Sequence, residues 1–194
     1  VPENFHQIVT EFTGQFPAAI DEVDQLLTRN RIWIDRTKGI GVISAADAIA
    51  WNLTGPMLRG SGVPYDLRKD EPYLCYEDFD FEIPVGEKGD VYDRYLVRME
   101  ELSQSIRIIE QAVNNLPEGK VKVDDGKVIL PEKDQVYSGM ESLIHHFKVT
   151  MDHHGIVPPP GDAYVATEAP NGELGFYVVS DGSGHAYRLR VRPP

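Results

Sequence analysis

Residues 91–116 constrain the fold more than any other stretch, because apolar side chains recur there at steps of three and four residues. This spacing places them on one face of an α-helix of about seven turns. The apolar positions are Tyr92, Tyr95, Leu96, Met99, Leu102, Ile106, Ile109, Val113 and Leu116. Because the repeat averages about 3.5 residues, we expect this helix to pack lengthwise against a neighbouring helix.

Three further segments show helical patterns. Residues 4–29 carry apolar residues at helical spacing, interrupted at Pro17, and predict a kinked helix or two helices that end at Asn30. Two serine–acid pairs with the spacing of a capping box predict helices over 45–51 and 138–154. The pairs are Ser44 with Asp47 and Ser138 with Glu141.

Alternating apolar residues predict strands in two regions. Residues 121–123 and 127–129 flank an Asp-Asp-Gly turn and predict a short hairpin. Near the C-terminus, residues 164–167, 174–179 and 187–191 alternate and are separated by glycine-containing turns. This pattern predicts a small antiparallel meander of three strands.

Together these patterns predict an α+β fold that is mainly α. We expect a single region, with a helical core over residues 1–160 and a small antiparallel sheet over residues 161–194. Residues 55–90 are rich in glycine and proline, but they also contain many aromatic and apolar side chains that can pack. They therefore predict a long structured loop.

Composition excludes several classes of protein. The 19 lysine and arginine residues stand against 31 acidic residues, and this net charge of −12 disfavours general nucleic-acid binding. Cys75 is the only cysteine, so these residues form no internal disulfide and cannot supply the ligands of an iron–sulfur cluster. No apolar run reaches the roughly 18 residues of a membrane-spanning helix. Because the sequence begins at Val1, we expect a piece of a longer protein.

The candidate functional residues lie in the segments LRGSG and YDLRKD. They are Arg59, Gly60, Gly62, Asp66 and Arg68. Asp66 is close enough in sequence to pair with either arginine, so one interpretation is a buried ion pair that fixes the loop. The other is a positioned arginine beside a redox centre or a partner surface. Arginine stays charged and offers a rigid fork of donors, and glycine allows another surface to approach closely.

Glu141 and His145 stand four residues apart on a predicted helix, so their side chains share a face. They form a candidate proton-handling pair, because histidine titrates near neutral pH. The sequence has one cysteine and no HExxH segment, and its histidines lack the usual spacing of metal ligands. We therefore expect no bound metal.

Five segments, taken in order, resemble a known family. They are LRGSGVPYDLRKDEPY, PVGEKGDVYDRYLVRMEELSQSIRII, SGMESLIHHFK, PPPGDAYVATEAPNGELGFYVVSDG and AYRLRVRPP. Their order and spacing resemble the D subunit of the proton-pumping NADH-quinone oxidoreductase, respiratory complex I, a family similar to the large subunit of nickel–iron hydrogenases. The resemblance extends from the WIDRTKGIGVIS segment to Pro194.

The resemblance implies a function. The chain would be the central part of a quinone-site subunit and would help to form the quinone chamber. The segments that carry the family's quinone-contacting His and Tyr, and that close the chamber, would lie outside it. Electrons would pass from NADH to quinone, coupled to proton translocation. FMN and the iron–sulfur clusters would be held by partner subunits, with no cofactor bound by this chain, which alone would be inactive.

The resemblance also implies partners and a location. The partners would be other subunits of complex I, above all the subunit that carries the terminal iron–sulfur cluster. The loop containing Arg59, Asp66 and Arg68 would face that subunit. The location would be peripheral, on the cytoplasmic side of the bacterial inner membrane.

Two departures from the family pattern keep two alternatives open. The family usually has arginine where Asn171 stands, and proline before the Tyr-Arg pair, where His185 and Ala186 precede Tyr187. One alternative is a diverged large subunit of a membrane-bound, hydrogenase-like oxidoreductase, which CxxC pairs in the flanking sequence would reveal. The other is a non-catalytic assembly or interaction domain, which would copurify with a cluster-bearing partner but lack quinone-dependent activity.

Overall fold

The structure, a computed structural model, describes residues 2–152 and 158–194. Within them the chain is mainly helical and carries a three-stranded sheet near the C-terminus, which confirms the predicted fold class. The chain divides into two compact units: residues 1–116, 166–175 and 192–194 form the first, and residues 117–165 and 176–191 the second. No helix in the described part is long and apolar enough to cross a membrane.

The first unit contains six α-helices among its described residues. They are α1 (Phe5–Val23), α2 (Arg31–Thr37), α3 (Ala45–Ala50), α4 (Pro56–Gly60), α5 (Leu67–Asp70) and α6 (Val91–Asn114). A π-helical turn, Asp24–Thr28, continues α1, and a 3-10 turn, Tyr76–Asp78, follows α5. The core consists of buried apolar side chains from α3 to α6 and from the segment before α6. They are Ala48, Leu58, Leu67, Phe81, Val97, Ile106, Ile108 and Val113.

Helix α6 confirms the prediction made for residues 91–116, and it contacts α1, α2 and α4. Asp90 is fully buried at its start. The Asp90 carboxylate accepts the backbone N–H of Asp93 at 2.8 Å and that of Gly39 at 2.7 Å. The first bond caps the helix, and the second ties the loop after α2 to it. The short helix predicted after Ser44 is also present, as α3, and Ser44 Oγ accepts the backbone N–H of Asp47 at 3.1 Å.

The N-terminal segment differs from the prediction at two points. One helix, α1, runs through Pro17, so the alternative of two helices is wrong. Asn30, expected to end a helix, instead begins α2. Its side-chain oxygen accepts the backbone N–H groups of Ile32 at 2.9 Å and Trp33 at 3.4 Å. Asparagine is favourable at both ends of helices, so the residues that follow it decide which end it serves.

The segment 55–90 is not one long loop, since it contains α4, α5 and the 3-10 turn. Pro56 occupies the first turn of α4, where its missing N–H breaks no helical hydrogen bond. Asp66 caps α5, because its carboxylate accepts the backbone N–H of Arg68 at 3.0 Å. The loop prediction is therefore wrong over these helices, which are too short to leave a periodic pattern in the sequence.

The second unit holds α7 (Lys133–Ser138) and α8 (Met140–Phe147), followed by a π-helical turn over Lys148–Asp152. The helix predicted over about 138–154 is present over residues 140–152, where α8 continues into the π-helical turn, but it begins two residues later than predicted because the backbone is extended at Gly139. Ser138 ends α7, and its hydroxyl donates to the carbonyl of Asp134 at 2.8 Å, so it does not cap α8. The last two residues of the predicted helix lie outside the described part of the chain.

The hairpin predicted over 121–129 is wrong, since no strand forms there and the chain instead makes a turn over residues 126–128. The Asp125 carbonyl accepts the backbone N–H groups of Val128 and Ile129, both at 3.0 Å. Its carboxylate accepts the backbone N–H of Lys127 at 2.9 Å. The aspartate thus closes the chain on itself with local hydrogen bonds, which compete with pairing between strands.

The predicted meander is confirmed. Its strands are β1 (Gly161–Ala169), β2 (Gly172–Ser180) and β3 (Arg188–Arg192), hydrogen-bonded in that order. A two-residue turn, Pro170-Asn171, joins β1 to β2, and so short a connection allows only antiparallel strands. Within the first unit this turn lies against the start of α4. A Cβ on Gly55 would stand 2.4 Å from the Cα of Gly172, so no side chain fits there.

Candidate functional site

Arg59, on α4, is the centre of a group of buried charged side chains in the first unit. Its side chain is only 2% exposed. Its Nε and Nη2 donate to one oxygen of Glu101 on α6, at 2.9 and 2.5 Å. Its Nη1 donates to Oε1 of Glu168 on β1 and to the carbonyl of Tyr65, both at 3.0 Å. One guanidinium group therefore joins α4, α6 and β1, which are far apart in the sequence.

Asp66 and Arg68 extend this group through a bidentate ion pair. Nε of Arg68 donates to Oδ1 of Asp66 at 2.9 Å, and Nη2 donates to Oδ2 at 2.6 Å. The same Oδ2 lies 3.4 Å from Nη1 of Arg59. Asp66 is fully buried, and the guanidinium of Arg68 lies 5.0 Å from the centre of the Phe81 ring. Both ion pairs considered from the sequence are thus present together.

We call Arg59, Asp66, Arg68, Glu101 and Glu168 the buried ion cluster. Burial acts to raise the pKa of Asp66, but the hydrogen bonds and the charge of Arg68 outweigh it and hold that pKa below its usual value. The pKa of Glu168 moves the other way. Burial raises it, the charge of Asp66 raises it further, and Arg59 only partly offsets both effects. The two carboxylates therefore differ in their affinity for a proton.

A tyrosine holds the backbone of β1 at the cluster. The Tyr73 hydroxyl accepts the backbone N–H of Glu168 at 3.1 Å. The Tyr73 ring packs edge-on against Tyr76, with ring centres 4.9 Å apart. Burial raises the pKa of the Tyr73 hydroxyl, which keeps the group neutral at physiological pH. Tyr73 thus fixes the main chain of Glu168 while Arg59 holds its side chain.

A cavity of about 440 Å³ adjoins the buried ion cluster within the first unit. Its polar lining includes Arg68, Arg98, Glu101, Glu168 and Asn171. Nη2 of Arg98 donates to Oδ1 of Asn171 at 3.4 Å. Asn171 stands where the resemblance implies an arginine. At this position the cavity lining therefore has a neutral amide beside Arg98 instead of another arginine.

Gly60 and Gly62 serve the packing of this region. A Cβ on Gly60 would stand 2.7 Å from Cγ of Arg94, so the missing side chain lets α4 approach α6. Gly62 has a φ of +91°, which side chains strongly disfavour. The close approach that Gly60 allows is made within the chain, and a role of either glycine toward a partner stays a prediction.

Glu101 and Glu168 are members of the cluster that the sequence reasoning missed. Glu101 stands among the charged residues of the predicted helix 91–116, and Glu168 lies in a turn region rich in acids. They are 42 and 109 residues from Arg59, so no local spacing connects them. The one usable signal was an imbalance of charge, because two arginines buried with a single aspartate require a further acid.

The other predicted pair, Glu141 and His145, lies on α8 in the second unit. Oε1 of Glu141 is 3.7 Å from Nε2 of His145, and the side chain of Glu141 is 91% exposed, so water screens the pair. Its proton-handling role stays a prediction. No group of three or more His, Cys, Asp and Glu residues in the described ranges is arranged to hold a metal ion. The expectation that no metal is bound also stays a prediction.

Comparison with known proteins agrees with the resemblance seen in the sequence. The family model for the respiratory-chain NADH dehydrogenase, 49 Kd subunit, matches residues 1–194. The chain is 50% identical to the D subunit of NADH-quinone oxidoreductase from Ehrlichia chaffeensis, 51% to that of Anaplasma marginale and 54% to that of Myxococcus xanthus. Each comparison covers all of this chain and 49%, 48% and 46% of the relative. The chain thus spans about half the length of these curated relatives, and it belongs to the family of the 49 Kd subunit of the respiratory-chain NADH dehydrogenase.

Proposed function

We propose that this chain is the central part of the quinone-site subunit of an NADH-quinone oxidoreductase. It helps to form the quinone chamber beside the terminal iron–sulfur cluster, which a partner subunit holds. The observation that carries this proposal is the family match over all 194 residues, together with about 50% identity to proteins named as the D subunit of NADH-quinone oxidoreductase. Through the assembly the chain lies peripherally at the cytoplasmic side of the bacterial inner membrane, and the assembly transfers electrons from NADH to quinone coupled to proton translocation.

The redox groups of this reaction belong to partner subunits. Cys75, the single cysteine, is exposed and cannot supply the several thiolate ligands that an iron–sulfur cluster needs. The clusters therefore lie elsewhere in the assembly, and the resemblance places FMN and the oxidation of NADH there too. This chain contributes rigid walls and fixed charge, while quinone is the substrate of the whole complex.

The buried ion cluster supports a positioning role for the loop. Arginine keeps its charge at physiological pH, so Arg59 and Arg68 hold their carboxylate partners in place without exchanging protons. Arg59 is sealed inside the unit, whereas the side chain of Arg68 is 15% exposed. We therefore assign Arg68 as the residue through which the loop faces the cluster-bearing partner. Asp66 holds its guanidinium in place.

The test is Arg68→Ala in the intact complex. The substitution leaves Asp66 without its bidentate partner, and breaking a buried ion pair typically costs about 3–5 kcal/mol. We expect a strong loss of assembly or of quinone reductase activity. Oxidation of NADH by an artificial acceptor at the flavin should be retained per assembled complex. Lys69→Ala is the matched control, because it removes an exposed cation from the next position of α5.

Two results would contradict the proposal at different levels. If Arg68→Ala leaves assembly, the potential of the terminal cluster and quinone reduction unchanged, the loop is not a positioning element. If the unmodified chain copurifies with a cluster-bearing partner but the assembly never reduces quinone, the chain is an assembly domain and the quinone-site function is wrong.

A further inference from the structure

We propose that Glu168 is a proton-binding site, which gains and loses a proton through the cavity beside the buried ion cluster. Protonation forms an O–H bond at Oε2 of Glu168 and converts a hydronium ion in the cavity to water. Release is the reverse. Because every group involved belongs to this chain, proton binding at Glu168 is independent of the function proposed above.

The charge balance of the cluster favours such a site. Its two guanidinium groups face three carboxylates, so the fully ionised cluster carries one negative charge in excess. Arg68 donates to Asp66 through both Nε and Nη2, so its charge is already paired. Arg59 alone therefore serves Glu101 and Glu168, and also approaches Asp66. An unbalanced charge is costly in a buried place, and a bound proton removes it.

Glu168 is the carboxylate with the least compensation for its burial. Asp66 accepts three hydrogen bonds from Arg68 and lies beside Arg59. Glu101 accepts two from Arg59, and its side chain is 16% exposed to water. The Glu168 side chain accepts one bond, from Arg59, and is only 4% exposed. The raised pKa of Glu168 agrees with this ranking.

The second oxygen of Glu168 provides the route for the proton. Its Oε1 is bonded to Arg59, whereas Oε2 has no hydrogen-bond partner among the described residues. In that part of the chain, the one buried side-chain polar atom that lacks a partner is Nε1 of Trp33. Oε2 is therefore accessible to solvent, which it reaches at the cavity of about 440 Å³ that Glu168 lines. A cavity of this size holds water, which carries the proton.

The groups around Glu168 set the pH at which the proton leaves. They are Arg59 on α4, Asp66 and Arg68 at α5, Tyr73 behind the backbone, and Arg98 and Glu101 on α6. The arginines favour the ionised form and the carboxylates favour the protonated form. Arg98 is the cation that can be removed with the least damage, because it is exposed and lies outside the ion cluster. Its removal should shift the titration of Glu168 to higher pH.

Infrared spectroscopy during a pH titration of the protein with its native partners tests the proposal, since a protonated carboxyl group has its own C=O stretching band. We expect a band that persists above the usual glutamate pKa of about 4.3. It should be absent in Glu168→Gln and retained in Glu100→Gln, a matched variant that removes an exposed carboxylate from α6. If Glu168→Gln has the same bands as the unmodified protein at every pH, Glu168 stays ionised and the proposal is wrong.

Arg98→Gln gives a second measurement that does not require Glu168 to be changed. The proposal expects the persistent band to vanish at higher pH in this variant than in the unmodified protein. No shift, or a shift to lower pH, contradicts it. If Glu168→Gln does not fold, the titration of Arg98→Gln decides the question alone.

Discussion

Arg59→Ala tests whether the buried ion cluster stabilises the first unit. The substitution removes both bonds to Glu101, the bond to Glu168 and the bond to the carbonyl of Tyr65. Asp66 keeps its bidentate partner, Arg68. Glu101 loses both of its bonds from Arg59 and Glu168 loses its one, so these two carboxylates decide the size of the effect.

The expected loss is about 3 kcal/mol. Removing one partner of a buried ion pair costs about 3–5 kcal/mol. The side chain of Glu101 is 16% exposed and Glu168 lines the cavity, so water reaches both carboxylates and the lower end of the range applies. For a domain of this size, each kcal/mol lowers Tm by about 2–4 °C, so Arg59→Ala should melt about 6–12 °C lower.

Urea unfolding followed by circular dichroism measures the loss, and its pH dependence identifies the cause. Burial and Asp66 raise the pKa of Glu168 in the folded state, and Arg59 opposes them, so removing Arg59 raises that pKa further. The variant's deficit should therefore be small near pH 4 and grow as pH rises through the folded pKa of Glu168. Arg107→Ala, which breaks an exposed pair with Asp80, is the control and should cost at most about 1 kcal/mol. A deficit below about 1 kcal/mol at pH 7, or one equal at pH 4 and 7, would refute this reasoning.

Two further substitutions test the loop and its surroundings. Asp66→Asn should cost about 1.5–3 kcal/mol near pH 7, because Arg68 loses a charged acceptor. The pKa of Asp66 is lowered in the folded state, so its stabilisation is present above the unfolded pKa of about 3.9 and lost as pH falls through the folded value. Urea unfolding should thus show the gap closing in acid, and a constant gap would contradict this. Gly89→Ala places a Cβ 2.1 Å from the carbonyl oxygen of Ile43, whereas Gly39→Ala, also at positive φ, has open space. Gly39→Ala should cost about 1–2 kcal/mol of backbone strain and Gly89→Ala more, so equal Tm values would count against the close contact at Gly89.

Local patterns predicted the parts of the fold that are decided locally. The helix of residues 91–116 follows from its own periodicity, and the meander from alternation between turns. The same serine–acid spacing gave one correct and one wrong helix start. Ser44 does cap α3, but Ser138 bonds backward to Asp134 and the chain extends at Gly139. Here the spacing is identical, and packing beyond the motif decides between the two outcomes.

In the candidate site, too, local contacts could be predicted from the sequence and distant contacts could not. Asp66 and Arg68 are two residues apart, so their pairing was foreseeable from sequence. Glu101 and Glu168 reach Arg59 only because α6 and the β1–β2 turn pack against α4. No period or spacing in a single sequence encodes such contacts. The sequence did show two arginines beside a single aspartate. This imbalance of charge requires a further acid but does not identify which one.

The separation of Arg59 and Glu168 by 109 residues also sets an order of events during synthesis. At roughly 5–20 residues per second, a ribosome makes Glu168 about 5–20 s after Arg59. In the second half of that interval α4 and α6 have been made, but the turn that lies against Gly55 has not. Two arginines then face two carboxylates, so the charges balance, but Nη1 of Arg59 still lacks its hydrogen bond to Glu168. A chain terminated before residue 168 lacks that bond permanently.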